Sequence, residues 1–348
     1  MRLLFIGGTG IISSAVSPLV VARGHTLTLV NRGLSPKAPP PAGAEVVTVD
    51  AHDPAALRAA LAGRHFDAVV QWIAYTADDI RADVETFRDL TDQYVFVSSA
   101  SAYEKPPSRP VVTEAGTPLS NPFWQYSRDK IAAEEALREA GAAGFPYTIV
   151  RPSLTYGPSQ IPVCVGSWNR PWTIVDRMRR GAPILIPGDG TSLEVLTNHR
   201  DLAVGLIGLL GNPAAIGEAF HITSDEALTW NRIYADVAAA AGIDGEAFAR
   251  QVLHVPTDAL GAADEGWLGS LWGDKSHSIL YDNAKVKALV PEFASLITVP
   301  FAEGIRETIA WFEASASRRA IDDDFNALCD RVAAIYARAL GEAGALRG

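Results

Sequence analysis

A chain of 348 residues with 48% hydrophobic content can bury a large core, and suits one large domain or one domain with a lobed extension. A formal net charge of −10, without a long lysine/arginine run, argues against a nucleic-acid binder. Two cysteines, Cys164 and Cys329, give neither a disulfide framework nor a zinc set; no apolar run is long enough for a membrane span, and the opening residues read as a strand rather than a leader, so a cytoplasmic setting is expected.

The first strand is Arg2–Ile6, and it runs into Gly7-Gly8-Thr9-Gly10-Ile11-Ile12-Ser13. A strand that turns through glycines into a helix presents backbone N–H groups and the positive end of a helix dipole to a pyrophosphate. Gly7 serves the tight turn, Gly10 the close backbone approach, and Ser13 stands where a third glycine often allows helix–strand packing. Helix is expected over Ile11–Arg23, kinked or short of a hydrogen bond at Pro18 and ended by Gly24. Strands follow at Thr26–Val30, Glu45–Val49, Ala68–Ile73, Tyr94–Ser98 and Tyr147–Arg151, with helices at Pro54–Ala62, Asp78–Asp92 and Gln125–Ala140 and a surface loop at Pro36–Pro41. This alternation predicts an α/β fold, a doubly wound parallel sheet covered on both faces.

From residue 153 the pattern turns irregular and rich in Gly, Pro, Ser and aromatics. Helices are expected at Ile174–Arg180, Asp201–Leu210, Trp230–Ala241, Phe301–Phe312 and Asp324–Leu340. The division expected is a dinucleotide-binding domain over 1–152, a smaller loop-rich substrate lobe over 153–312 with some return to the core, and a helical extension over 313–348. Apolar residues at Phe325, Leu328, Val332, Ile335 and Leu340 suggest that the last helix packs on the body or on a second subunit.

The second motif is Tyr126-Ser-Arg-Asp-Lys130. Residues four apart share a helix face, so the Lys130 ammonium is expected near the Tyr126 hydroxyl, where it would lower a phenol pKa that starts near about 10. That would make tyrosine a usable acid/base at neutral pH. Such pairs are common on solvated helix faces, but a strand ending at Ser98-Ser99-Ala-Ser101 precedes this one. Ligands in these sheets bind beyond the strand tips, which sets Ser99 to bond the same substrate oxygen as Tyr126.

The glycine turn, the serine-bearing fifth strand and the Tyr-x-x-x-Lys helix, in this order, resemble the extended short-chain dehydrogenase/reductase superfamily, in its NAD-dependent epimerase/dehydratase branch. Val49-Asp50, Arg151-Pro152-Ser-Leu-Thr-Tyr156-Gly157-Pro158, Gly188-Asp-Gly190 before Asp201-Leu-Ala, and Phe301–Trp311 agree with it. The resemblance implies a Rossmann core of about seven parallel strands. It implies an NAD(P) site formed by Gly7, Thr9, Gly10, Ile11 and Ile12 at the pyrophosphate, Asp50 at the adenine, and Ala74 and Pro152 on the nicotinamide side. Ser99, Tyr126 and Lys130 become the catalytic set, with Lys130 also holding the nicotinamide ribose. A homodimer follows by analogy with relatives.

The chain also departs from the branch. Asn31-Arg32 stands where NAD-specific members carry an acid, and an arginine there can pair with the 2′-phosphate of NADP, so NADP is slightly favoured over NAD; the alternative is a loop arginine facing water. Ala100-Ser101 replaces the Asp-Glu pair of the dehydratases, which disfavours a 4,6-dehydratase. Thr191–Asn198 lacks the arginine with which sugar-nucleotide epimerases grip a diphosphate, which puts a nucleotide diphosphate on the substrate in doubt.

Ser101, Tyr75, Trp168, Trp172, His199 and Arg200 are candidate substrate contacts, although aromatics are more often core and a structural histidine is about as plausible. Glu194 reads as a surface carboxylate rather than a second acid/base, and His52, His254 and His277 show no metal spacing. The leading reading is an NAD(P)-dependent oxidoreductase/isomerase that oxidises a secondary alcohol of a sugar or nucleotide sugar and reduces the ketone on its other face. The alternatives are an NADPH-dependent carbonyl reductase and a non-catalytic dinucleotide sensor or RNA-associated relative.

Overall fold

The computed structural model describes residues 1–33 and 38–345, so the loop expected at Pro36–Pro41 falls partly outside the described residues. Strands β1 (Arg2–Ile6), β2 (Thr26–Asn31), β3 (Glu45–Thr48), β4 (Ala68–Gln71) and β5 (Tyr94–Val97) join Tyr147–Pro152 and Ala219–Ile222 in one parallel sheet. The order is Ala219–Ile222, Tyr147–Pro152, β5, β4, β1, β2, β3. The strand order reverses between β1 and β4, and in such sheets the crevice beyond the strand tips at that point takes the ligand. The fold is the expected Rossmann-type α/β architecture.

β1, β4 and β5 are near-continuous apolar runs because both sheet faces are covered. On one face, helix α1 (Ser13–Ala22) packs against the helix His199–Leu209; its Val16 and Val20 join Leu3, Phe5, Leu202 and Leu206 in one cluster. Helix α1 runs through Pro18 without a break. On the other face, beside α2 (Pro54–Ala60) and its Leu57, α3 (Ala77–Phe87) and α4 (Gln125–Ala142) bring Ile80, Phe87, Ala133 and Leu137 onto Leu4, Ile6 and Phe96.

Beyond residue 153 the lobe is built from short strand pairs. Leu154–Tyr156 pairs with Leu196–Asn198, Ile184–Pro187 with Val252–Val255, and Leu193–Glu194 with Leu228–Thr229. The sequence reading missed these pairs, the helices between 245 and 294, and the sheet strand Ala219–Ile222. The strands, at two to four residues each, are too short for periodicity to register and are defined by pairing alone; the helices, at four to seven residues, span two turns at most. The C-terminal helix Asp323–Ala345 lays Phe325, Cys329 and Val332 on the lobe's core, leaving Ile335 exposed. Among the described residues no helix is long and apolar enough to cross a membrane.

Candidate active site

A crevice of about 890 Å³ opens beyond the tips of β1, β4 and β5 and runs under the lobe. Gly7, Thr9, Gly10, Ile11 and Ile12 form its floor, Asn31, Arg32 and Asp50 one end, and Pro152, Ser99, Ser101, Tyr126 and Lys130 its middle. Tyr75 and Trp168 also line it.

The floor is built for close approach. Gly7 and Gly8 have φ of +97° and +100°, and a Cβ at Gly8 would fall 2.7 Å from Leu29 Cδ2. At Gly10 a Cβ would meet only Ser13 Oγ, at 3.6 Å, so glycine there keeps the crevice side clear. Ser13, buried in the position of the third glycine, accepts the Gly10 N–H at 2.8 Å. Helix α1 then starts with no side-chain cap and no acid in its first turn, which leaves its positive end for an anion. This floor fits a dinucleotide pyrophosphate. At the far end Arg32 is exposed, 3.9 Å from Asp50 Oδ2, and Asn31 Oδ1 accepts the Gly33 N–H.

Tyr126 sits at the start of α4, with its ring 4.8 Å from Trp124 and 6.2 Å from Tyr75 between centroids. The structure corrects the expected electrostatics. Lys130 donates to the carbonyls of Ala74 (2.7 Å) and Val97 (2.9 Å), and its Nζ is 5.9 Å from the Tyr126 ring centroid. Burial therefore governs both groups: the Tyr126 phenol is pushed up to about 12, with the Ser99 hydroxyl as the opposing influence. Lys130 is pulled down to about 7, again by burial. Its Nζ also lies over the rings of Tyr75 (4.6 Å) and Phe96 (4.7 Å).

Behind Tyr126 runs a hydroxyl chain. Ser127 Oγ donates to Ser101 Oγ at 2.8 Å, which lies 2.9 Å from Ser99 Oγ. Ser127 is fully buried and was missed by the sequence reading, since a serine inside the Tyr-x-x-x-Lys turn carries no signal of its own.

Four expected contacts are placed elsewhere. Ala74 does not line this crevice; its carbonyl anchors Lys130 from the neighbouring side. Trp172 is core, stacked 5.8 Å from Phe312 under the Arg179 guanidinium. His199 is buried against Ser14 Oγ (3.0 Å) and the backbone of Ile11, braced under the glycine turn, with burial pulling its pKa down to about 4. Arg200 faces solvent and pairs with Glu307. Both belong to the first turn of the helix His199–Leu209, and neither lines the crevice. Conversely, Glu194 is a buried residue of the crevice wall, not a surface carboxylate. Among the described residues no cluster could hold a metal ion.

Comparisons with known proteins agree with this geometry. The model of the NAD dependent epimerase/dehydratase family matches residues 3–223. The chain is 28% identical over 254 residues to the chloroplast stem-loop binding protein of 41 kDa b of Arabidopsis thaliana, covering 69% of this chain but only 63% of that protein. It is 29% identical over 248 residues to 2'-dehydrokanamycin reductase of Streptomyces kanamyceticus, covering 70% of this chain and 67% of that one. Its fold is shared with an epimerase from Methanothermobacter thermautotrophicus (TM-score 0.73, 19% identity, 90% and 92% of the two chains). It is shared too with UDP-glucose 4-epimerase from Bifidobacterium longum in complex with NAD+ and UDP (TM-score 0.71, 15% identity, 92% and 100%). The chain belongs to the NAD dependent epimerase/dehydratase family.

Proposed function

We propose that this enzyme moves a hydride between NADP and a secondary alcohol or ketone carbon of a sugar, with Tyr126 as proton donor and acceptor and Ser99 orienting the oxygen. The observation that carries this reading is the convergence of the glycine floor, Ser99, Tyr126 and Lys130 on one crevice. When bound, the dinucleotide supplies or accepts the hydride. In its protonated form Lys130 has a third N–H, beyond those given to Ala74 and Val97, as the donor for the nicotinamide ribose.

A protonated Tyr126 suits the reduction half of the reaction. A phenol pushed up to about 12 keeps its proton and can give it to the oxygen of a ketone as hydride reaches the carbon. The similarity to a reductase supports the same direction. Epimerisation is the second reading, favoured by the family and by the epimerases that share the fold. Assay separates them: a reductase consumes NADPH in step with product, whereas an epimerase turns over without added nucleotide.

Arg32 supports NADP over NAD, because it lines the crevice beside the adenine end and no acid ends β2. Arg32→Ala is expected to lower the NADPH-over-NADH affinity ratio about tenfold, read by fluorescence titration. Mass spectrometry of nucleotide released from the denatured protein checks the same point; NAD alone would overturn it. The reading includes no nucleic-acid partner, despite the RNA-binding name of the chloroplast relative, since a net charge of −10 opposes phosphate backbones. A gel shift with stem-loop RNA at physiological salt is expected to show no complex.

A further inference from the structure

Glu194 is a group that the hydride chemistry leaves unused. It is 2% exposed on the crevice wall; Oε1 accepts the Val195 N–H at 3.0 Å, while Oε2 has no hydrogen-bond partner among the described residues. Buried carboxyl oxygens are seldom left unmatched, and one on a residue that lines a crevice points to a ligand. Asp274 lines the same wall, 3.4 Å from the Nζ of Lys105, whose side chain is wholly buried. Lys275 turns its Nζ over the Trp124 ring, 5.9 Å away. Cys164 and Tyr281 complete the surroundings, and burial holds both protonated.

The segment carrying Asp274 is tied to the reaction centre. Leu271–Lys275 is a π-helical turn, a feature common at functional sites. Asn121 Nδ2 donates both to the Gly273 carbonyl (2.6 Å) and to the Ser101 carbonyl (2.7 Å), so this wall and the serine chain hold one geometry.

The charges here are largely self-compensated. Asp274 is offset by Lys105, and burial with the Asp274 charge pushes Glu194 up to about 8, so it is neutral around pH 7. A neutral carboxyl offers one donor and one acceptor, which is what a ring hydroxyl also offers. Among the described residues lining the crevice Arg32 is the one arginine, and it stands at the Asp50 end, away from this wall. A substrate diphosphate therefore finds no guanidinium fork here; it meets the Asp274 carboxylate, with the Lys275 ammonium over the Trp124 ring as the one other charge on this wall among the described residues.

We propose that Glu194, flanked by Asp274 and Lys105, forms a subsite for a neutral, hydroxyl-bearing ring, with Glu194 Oε2 binding a ring hydroxyl remote from the carbon that exchanges hydride. The proposal rests on the hydride-transfer reading and deepens it by naming the substrate class. The test uses the full chain saturated with NADPH, titrated with methyl α-D-glucopyranoside as neutral probe and glucose 1-phosphate as anionic probe, and read by tryptophan fluorescence. The neutral probe is expected to bind at least about tenfold tighter than the anionic one. Glu194→Ala should weaken the neutral probe about tenfold, and Glu194→Gln, which copies the protonated acid, by no more than about threefold. NADPH affinity should hold within about twofold in both variants. For the wild type, neutral-probe affinity should fall as pH rises through about 8, and that break should vanish in Glu194→Gln.

Equal binding of the neutral probe by wild type and Glu194→Ala, no binding of that probe at all, preference for the anionic probe, or a pH break that survives in Glu194→Gln would each overturn the subsite while NADPH still bound. Failure of the wild type to bind NADPH would sink the hydride-transfer reading, and the subsite with it.

Discussion

Tyr126→Phe is expected to cut turnover by about 10²–10⁴-fold, which is about 3–5 kcal/mol of barrier. The measurement is NADPH consumption with a ketone that the wild type reduces. The substitution removes one oxygen and keeps the ring, which packs on Trp124 at 4.8 Å and Tyr75 at 6.2 Å, so the wall holds its shape. NADPH affinity should stay within about twofold, because Lys130 is anchored by the Ala74 and Val97 carbonyls and not by the phenol. Loss of rate without loss of cofactor binding marks an interaction made in the transition state. The pH profile gives a second readout. A phenol at about 12 keeps its proton through the neutral range, so any inflection there must come from another group, Lys130 at about 7 being the nearest. A Tyr126→Phe enzyme with more than about a tenth of wild-type turnover would remove Tyr126 from the proton path.

The parts of this site that the sequence showed are those set by local geometry. A glycine turn after a strand and a tyrosine four residues before a lysine follow from helix and strand spacing alone, and they meet in the crevice. The Lys130 ammonium was legible in position but not in orientation. Its direction is chosen by carbonyls from two different segments, Ala74 and Val97. Glu194 was unreadable for the same reason: its strand is two residues long, and the Lys105 and Asp274 charges near it arrive from distant parts of the chain. Trp172 and His199 show the converse. Loop-like surroundings suggested a ligand contact for Trp172 and the neighbouring Arg200 one for His199, whereas Phe312 and Ser14, remote in sequence, claim them for packing.

Glu134→Ala carries the largest expected change in stability, about 3–5 kcal/mol, read by denaturant unfolding. Glu134 is fully buried one turn beyond Lys130, and its carboxylate takes both Arg151 Nε (2.9 Å) and Nη2 (2.6 Å). It also accepts from Ser98 Oγ at 2.6 Å and from Arg138 at 2.7 Å. Truncation would strand the Arg151 guanidinium, 2% exposed, with Tyr103 as its one other side-chain hydrogen-bond partner among the described residues. Replacing both ends together, Glu134→Leu with Arg151→Met, should recover part of the loss, because no lone charge is then left inside. The pH dependence has a definite sign. Burial pushes the Glu134 carboxyl up, but the Arg151 hydrogen bonds and charge outweigh it and hold the group below its ordinary 4.5. Its contribution is thus complete above about 4.5 and disappears as pH falls through the lower folded value. Glu134 ties α4, which carries Tyr126 and Lys130, to Ser98, the neighbour of Ser99. The variant should therefore bind NADPH more weakly as well as unfold more easily. A Glu134→Ala protein within about 1 kcal/mol of wild type would show that water or relaxation satisfies Arg151, and that α4 is positioned by packing alone.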